Sequence, residues 1–320
     1  MIKISTKTQD AKQILERDEL VAIPTETVYG LAGNIYSETA IKKIFQTKNR
    51  PSFNPLIVHI DSIDRLNNIV AEIPTKAVML AKAFWPGSLT LVLKKKNTIP
   101  DSITAGKNTV AVRVPNHPLT LDLLKSLDFP LAAPSANPFG SISPTTAAHV
   151  ADYFPDKIEM VLDGGPCANG IESTIVGFEG EEPILYRLGA ISKEEIEAVI
   201  GNVKTANKND KTPEAPGMLS RHYAPKTKTV LSTDISESIN EYEGLKVGVI
   251  SFTDEISLEN ISAIEILSHK GDLKEAATNL YAAMHRLDKL NLDIIIAQNF
   301  PDSDLGRSIN DRLIRATKNK

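Results

Sequence analysis

Four cations sit in short, stiff or strand-end segments upstream of Gly201. Lys48 and Arg50 share Lys48-Asn-Arg-Pro-Ser-Phe-Asn54-Pro, a loop held by two prolines. Lysine meets a phosphate as a point charge and arginine as a two-pronged fork, so such a loop makes a good phosphate clamp. A Lys-x-Arg pair is also common on plain surfaces. Arg113 ends the strand pattern Thr109-Val-Ala-Val-Arg-Val. Alternation puts Val110, Val112 and Val114 on a core face and Thr109, Ala111 and Arg113 on the other. That second face suits an anion pocket, and by itself would equally be a solvated sheet face. Arg187 follows Tyr186 at another strand end. Polar partners accompany these cations. Ser135 and Asn137 lie in the proline-bounded Pro134-Ser-Ala-Asn-Pro. Ser143-Pro-Thr-Thr is expected to open a helix, with Ser143 as N-cap and Pro144 in the first turn, where free N–H groups favour an anion. Ordinary capping accounts for Ser143 as well. The glycines of Asp163-Gly-Gly and Gly170-Ile-Glu-Ser173-Thr174 allow backbone to approach a ligand closely. His59, between Val58 and Ile60, reads as a half-buried structural histidine. Together these groups point to a polyanionic small ligand such as a nucleoside triphosphate.

The common phosphate and hydrolase motifs are missing. Gly106-Lys107 is not a P-loop, because Asp101 stands where its first glycine belongs. There is no dinucleotide fingerprint, zinc-protease helix or nucleophile elbow. With one cysteine, Cys167, and 6 histidines, an intrachain disulfide is impossible and a transition-metal centre is not expected. The lone cysteine fits a reducing compartment. Positioning and electrostatics are left to carry any chemistry, in a nucleotide-binding enzyme without a P-loop.

These residues need a frame. At 320 residues the chain is long enough for two domains of about 150 each. Apolar residues at 42% and charged residues at 24% are globular values. A net charge of -4 argues against a uniformly basic nucleic-acid coat. No apolar run reaches the roughly 18 residues of a membrane span, so a soluble, cytoplasmic protein is expected. Strand patterns at Leu20–Ile23, Leu56–Ile60, Leu89–Leu93, Val110–Val114 and Met160–Leu162 interleave with helices, including one opened by a Ser192/Glu195 capping box. This predicts an α/β fold over residues 1–201. Residues 202–229 form a polar linker whose Arg221, His222 and Tyr223 make it either a spacer or a lid. Residues 230–320 form a smaller α/β unit, with strands at Val247–Ile250 and Asp293–Ala297 and helices at Leu273–Leu290 and Arg307–Ala316.

An ordered set of segments adds a resemblance. Pro24-Thr-Glu-Thr-Val-Tyr-Gly-Leu, Lys48-Asn-Arg-Pro, Asn54-Pro-Leu-Ile-Val-His59, Trp85-Pro-Gly-Ser-Leu-Thr, Val112-Arg-Val-Pro, Ala133-Pro-Ser-Ala-Asn137 and Ser173-Thr174 occur in order. The chain resembles the YrdC-type L-threonylcarbamoyladenylate synthases. Gly306-Arg-Ser-Ile-Asn-Asp-Arg-Leu, together with the linker, resembles their longer, two-domain branch.

That resemblance implies a twisted, open mixed sheet with helices, followed by a smaller Rossmann-like domain. It implies synthesis of threonylcarbamoyl-AMP and pyrophosphate from L-threonine, bicarbonate and ATP. The product would supply a downstream transferase complex that modifies the adenosine next to the tRNA anticodon. By motif position, Thr27, His59, Arg113, Ala133 and Ser173 would line the threonine side. Lys48, Arg50, Asn54, Thr109, Ser135, Asn137, Ser143, Arg187 and Tyr223 would hold ATP, with Lys48 and Arg50 catalytic. Magnesium would come with ATP, held through its phosphates, and no organic cofactor is implied. Two other readings compete: an RNA-binding translation regulator using the same cationic cleft, and a hydrogenase-maturation carbamoyl-transfer domain. The single cysteine speaks against the second, whose zinc segments are cysteine-rich.

Overall fold

The computed structural model describes residues 2–206, 215–218, 222–253 and 261–318. Arg221 lies outside the described residues. In the first domain the strands are β1 (Lys3–Ser5), β2 (Val21–Ile23), β3 (Gly30–Asn34), β4 (Ile57–His59), β5 (Leu89–Lys94) and β6 (Thr109–Arg113). They continue with β7 (Leu131–Ala132), β8 (Met160–Leu162), β9 (Thr174–Glu179), β10 (Glu182–Arg187) and β11 (Lys204–Thr205). These form one mixed, 11-stranded sheet in the order β1-β8-β2-β3-β7-β4-β6-β5-β9-β10-β11. Its helices are α1 (Thr8–Leu15), α2 (Glu38–Lys48), α3 (Leu66–Ile69), α4 (Thr75–Phe84), α5 (Asp101–Thr104), α6 (Pro118–Ser126), α7 (Ala147–Tyr153) and α8 (Lys193–Ile200). Through β11 the large sheet takes in residues beyond Gly201.

Local chemistry explains most of these boundaries. The Ser37 hydroxyl caps α2 by accepting from the Ala40 N–H at 3.2 Å, and Asn49 ends the helix in the left-handed region at φ 52°. The Ser192/Glu195 capping box forms as expected and opens α8. The valine face of β6 enters the main core beside Leu91 of β5 and Val58 of β4. On its other face Ala111 packs with Ile57, Val92 and Ile175 beneath Ala215 and Met218 of the linker.

The helix expected at Ser143 begins later. Thr146 is the N-cap of α7, accepting from the His149 N–H at 3.3 Å. Residues 143–145 stay extended because neighbours claim their backbone. The Pro144 carbonyl accepts from the Tyr29 N–H and the Thr145 carbonyl from the Cys167 N–H, each at 2.9 Å. Non-local pairing here overrides a local capping signal.

The second domain has strands β12 (Lys228–Ser232), β13 (Val247–Ser251), β14 (Ile261–Ile266) and β15 (Ile294–Gln298). They make an all-parallel 4-stranded sheet in the order β12-β15-β13-β14. Its helices are α9 (Ile235–Asn240), α10 (Leu273–Asp288) and α11 (Asp304–Ala316). The Asp272 side chain caps α10, accepting from Lys274 and Glu275 N–H at 2.7 and 3.0 Å. The apolar face of α10, with Leu280, Tyr281 and Met284, does not close on its own sheet alone. It joins Val28, Ile142 and Ile171 of the first domain and Tyr223 of the linker in one buried cluster. The two domains therefore share a core.

Candidate active site

A small cavity opens where β2, β4, β6 and β9 end beneath the linker. Its wall contains Thr27, His59, Arg113, Ala133 and Ser173, the expected threonine set, together with Arg50, Ser135, Arg187 and Tyr223 from the expected ATP set. Pro216, Gly217, His222 and Tyr223 cover it, leaving about 50 Å³. That is room for one or two waters.

Arg113 organises one end. Its Nη1 donates to Thr27 Oγ1 at 2.9 Å, its Nε to the Gly87 carbonyl at 3.1 Å, and its Nη2 to Glu26 Oε1. Glu26 also accepts from the Ser88 hydroxyl and the Asn116 N–H, both at 2.9 Å. Burial works against the Glu26 carboxylate, but Arg113 and these two donors outweigh it and hold its pKa below the usual value. His59 lies beside Arg113 in the parallel β4–β6 register. Burial, and then the Arg113 charge, push His59 down to about 3, so it is a neutral imidazole at physiological pH. Its Nδ1 meets the Ile57 carbonyl at 3.2 Å. Ser173 pairs with Thr90 at 2.8 Å between their hydroxyls.

Cations dominate the other end. Arg50 donates from Nη2 to the Pro55 carbonyl at 2.8 Å and from Nε to the Asn54 carbonyl at 3.2 Å. Arg187 donates from Nη2 and Nε to the Ser173 carbonyl at 2.8 and 3.1 Å, and from Nη1 to the Pro216 carbonyl at 3.2 Å. Burial and then Arg187 lower the Arg50 pKa to about 9, still well above neutral pH. Arg113 is paired with Glu26, but the buried guanidinium groups of Arg50 and Arg187 turn their donors mostly on carbonyls and leave positive charge uncompensated. An anion would supply the missing charge.

Several expected site residues lie behind this wall. Lys48 is fully buried, its Nζ donating to the carbonyls of Ser135, at 2.5 Å, and of Asn137. Burial, then Arg50, depress its pKa well below the usual lysine value. Asn137 Nδ2 donates to the Ser141 carbonyl at 2.8 Å. Thr109 sits at the far end of β6, opposite Lys94, and is absent from the cavity wall. Asn54 is wholly buried, and neither its Oδ1 nor its Nδ2 has a partner among the described residues; Asn137 Oδ1, His222 Nδ1 and Tyr223 Oη share that condition. Buried polar atoms are rarely left unpaired. Their concentration around the Arg50 end marks it as built for something that brings hydrogen-bonding groups.

Two carboxylates escaped the sequence reading. Glu26 stands within Pro24-Thr-Glu-Thr, and Glu172 within Gly170-Ile-Glu-Ser. Glu172 lines the cavity, accepting from the Ser143 hydroxyl at 2.6 Å and from Tyr281 at 2.9 Å. Pairing potential alone could have found Glu26, since an acid beside a buried arginine strand needs a counter-charge.

Residues 13–189 match the Sua5/YciO/YrdC family model, described as telomere recombination, and residues 191–317 match the threonylcarbamoyl-AMP synthase C-terminal domain. A Bacillus subtilis threonylcarbamoyl-AMP synthase is 41% identical over 96% of this chain and 91% of its own length. The chain belongs to the threonylcarbamoyl-AMP synthase family. A Pyrococcus abyssi threonylcarbamoyl-AMP synthase is 42% identical over 97% of the chain and 94% of its own. The crystal structure of P. abyssi Sua5 complexed with L-threonine superposes with a TM-score of 0.92 at 40% identity, covering 99% of this chain and 97% of that one. Coverage of both domains confirms the two-domain branch and the mixed-sheet-plus-small-parallel-sheet fold expected from sequence.

Proposed function

We infer that the protein makes threonylcarbamoyl-AMP from L-threonine, bicarbonate or CO2, and ATP, releasing pyrophosphate. One observation carries the site assignment. A single cavity is walled at one end by Arg113, Thr27 and His59 and at the other by Arg50 and Arg187.

Arg113 makes three hydrogen bonds to protein, leaving two of its five N–H groups for a substrate carboxylate. Neutral His59 and the Thr27 hydroxyl complete the threonine corner. The threonine amine attacks CO2, forming an N–C bond and releasing a proton to solvent; starting from bicarbonate, the C–OH bond breaks and that proton leaves with the hydroxide as water. An oxygen of the new carboxylate attacks the α-phosphorus as the bond to the β-phosphate oxygen breaks, and pyrophosphate leaves with that electron pair. Lys48, Arg50 and Arg187 offset charge on the phosphates, which is most of what such a transfer requires. For Lys48 this involves exchanging a carbonyl partner for phosphate. Tyr223 covers the nucleotide.

Magnesium fits as a companion of the substrate. Both oxygens of Glu26 and of Glu172 already accept hydrogen bonds, and among the described residues no group of three His, Cys, Asp or Glu could hold a metal. The ion would enter as Mg-ATP, with its charge set against the phosphates.

The product is a mixed anhydride that a transferase acting on the tRNA adenosine would consume. Such a reaction belongs in the cytoplasm, and among the described residues no helix is long and apolar enough to cross a membrane. An RNA groove is less well supported, because Arg50, Arg113 and Arg187 are buried beneath the linker. The test is pyrophosphate release from Mg-ATP with threonine and bicarbonate each added or omitted. Release that depends on both is expected, and release indifferent to threonine would overturn the reading.

A further inference from the structure

The second domain touches the wall of the cavity through Arg312, Tyr281 and Arg315. Arg312 leaves α11 and is wholly buried between the domains. Its Nε donates to Glu172 Oε2 and its Nη1 to Asp311 Oδ2, each at 3.3 Å. Its guanidinium carbon lies 5.4 Å from the centroid of the Tyr223 ring. Tyr281 of α10 donates to the same Glu172 oxygen at 2.9 Å and tilts against Tyr223 with ring centroids 5.6 Å apart. The remaining Glu172 oxygen holds the Ser143 hydroxyl. One turn beyond Arg312, Arg315 donates to the Gly217 carbonyl and pairs with Asp311 at 3.0 Å.

A buried ion pair is a poor device for stability, since well-packed apolar residues often do as well. Its value lies in fixing geometry. Tyr223 has φ +64°, a strained setting for a tyrosine, and its hydroxyl has no partner among the described residues. Nothing in its own backbone preference keeps this ring where it is. The faces of Arg312 and Tyr281 do. By contrast, the hydrogen bonds of Arg113 run to Glu26, Thr27 and Gly87, all in the first domain.

We propose that Arg312 is a positioning residue for the nucleotide: with Tyr281 it locks Glu172 and the Tyr223 ring, so that the C-terminal domain completes the ATP half of the site and leaves the threonine half untouched. This rests on the synthase reading above. It gives the second domain a specific task, holding the cover of the nucleotide end, rather than general support.

The test uses the full-length protein, with Kd for ATP and for threonine measured separately by calorimetry, alongside pyrophosphate release. Arg312→Leu should weaken ATP at least tenfold and leave threonine within twofold. Arg312→Lys, which keeps a buried charge for Glu172 but loses the planar face against Tyr223, should give a smaller ATP loss with the fold intact by circular dichroism. Because Arg312 acts through Tyr223, adding Arg312→Leu to Tyr223→Leu should worsen ATP binding less than twofold. Equal losses for ATP and threonine, full multiplication of the two single effects, or unchanged ATP binding in both Arg312 variants would overturn the proposal. If wild-type protein binds ATP but releases no pyrophosphate, the synthase reading fails, while the ATP Kd values still decide the role of Arg312.

Discussion

Arg113 and Glu26 form a buried ion pair between β6 and the loop after β2, and Thr27 takes the neighbouring guanidinium nitrogen. The pair aims the arginine and leaves part of its fork for a ligand. A charged hydrogen-bonded partnership of this kind is worth about 1.5–3 kcal/mol. Arg113→Ala is therefore expected to raise the threonine KM roughly ten- to a hundredfold, with much less effect on the ATP KM. Equal rises in both would remove Arg113 from the threonine corner.

Glu26 has a different signature. Glu26→Ala strands the Arg113 charge in a dry site and should cost about 3–5 kcal/mol of stability. Glu26→Gln keeps an acceptor and should cost clearly less. Denaturant melts of the two variants settle this, and equal losses would mean that the carboxylate is not the partner that matters.

Asn54 offers a test of opposite sign. It is wholly buried and both polar atoms of its amide lack partners among the described residues. Each unmet group carries a penalty of about 1–3 kcal/mol, which an apolar side chain of similar shape avoids. Asn54→Leu should raise the melting temperature of ligand-free protein while weakening ATP binding. A variant that loses stability without losing ATP would show the amide to be structural.

Lys48 should announce ATP by taking up a proton. Burial and then Arg50 hold its pKa well below the usual lysine value in the free protein. A triphosphate nearby favours the ammonium and raises that pKa, so in the pH window between the free and the ATP-bound values the complex holds a proton that the free enzyme does not. ATP titrations in buffers of different ionisation enthalpy should show this uptake, and Lys48→Met should abolish it. Uptake identical in the variant would place the proton elsewhere.

What the sequence made legible was chemistry carried by local pattern. Arg113 could be read because alternating valines place it on the opposite face of a strand, and the Ser192 capping box because its two partners lie three residues apart. Ser143 was misread for the same reason: its capping signal is local, while its real partners, the Glu172 carboxylate and the His285 ring, are far along the chain. β3 was invisible because Gly30-Leu-Ala-Gly-Asn has weak strand propensity. A Cβ at Gly33 would be tight, 3.0 Å from Leu20 Cδ2 and 3.2 Å from Ile44 Cδ1 of α2, so those side chains would have to give. Arg312 stood inside the Gly306-Arg-Ser-Ile-Asn-Asp-Arg-Leu segment, but that local pattern names no role for it, because its partner Glu172 comes from another domain.

The last prediction concerns the seam between the domains. His149 of α7 and His285 of α10 stack with ring centroids 3.8 Å apart and planes 19° from parallel, beside Tyr153 and the Asp152–Lys289 ion pair at 2.6 Å. The Thr145 N–H donates to His149 Nδ1 at 3.3 Å, and His285 Nε2 meets the Ser143 carbonyl at 3.1 Å. Burial is the main cause that lowers both rings, to about 3 for His149 and about 4 for His285; the charges of His285 and then Lys289 add to it at His149. At His285 the Ser143 carbonyl opposes the shift and Lys289 adds to it. The folded pKa values lie below the ordinary 6.5 of an unfolded histidine, so the unfolded chain binds the extra protons first as pH falls. Stability that is complete above pH 6.5 should therefore drain away between there and pH 4, through this seam among other sites. His149→Phe combined with His285→Gln, which keeps a donor for the Ser143 carbonyl, should give a shallower fall of melting temperature with pH. It should not flatten the curve, because His59 and His222 are buried and depressed as well. A slope unchanged from wild type would mean that the stacked pair does not titrate with unfolding.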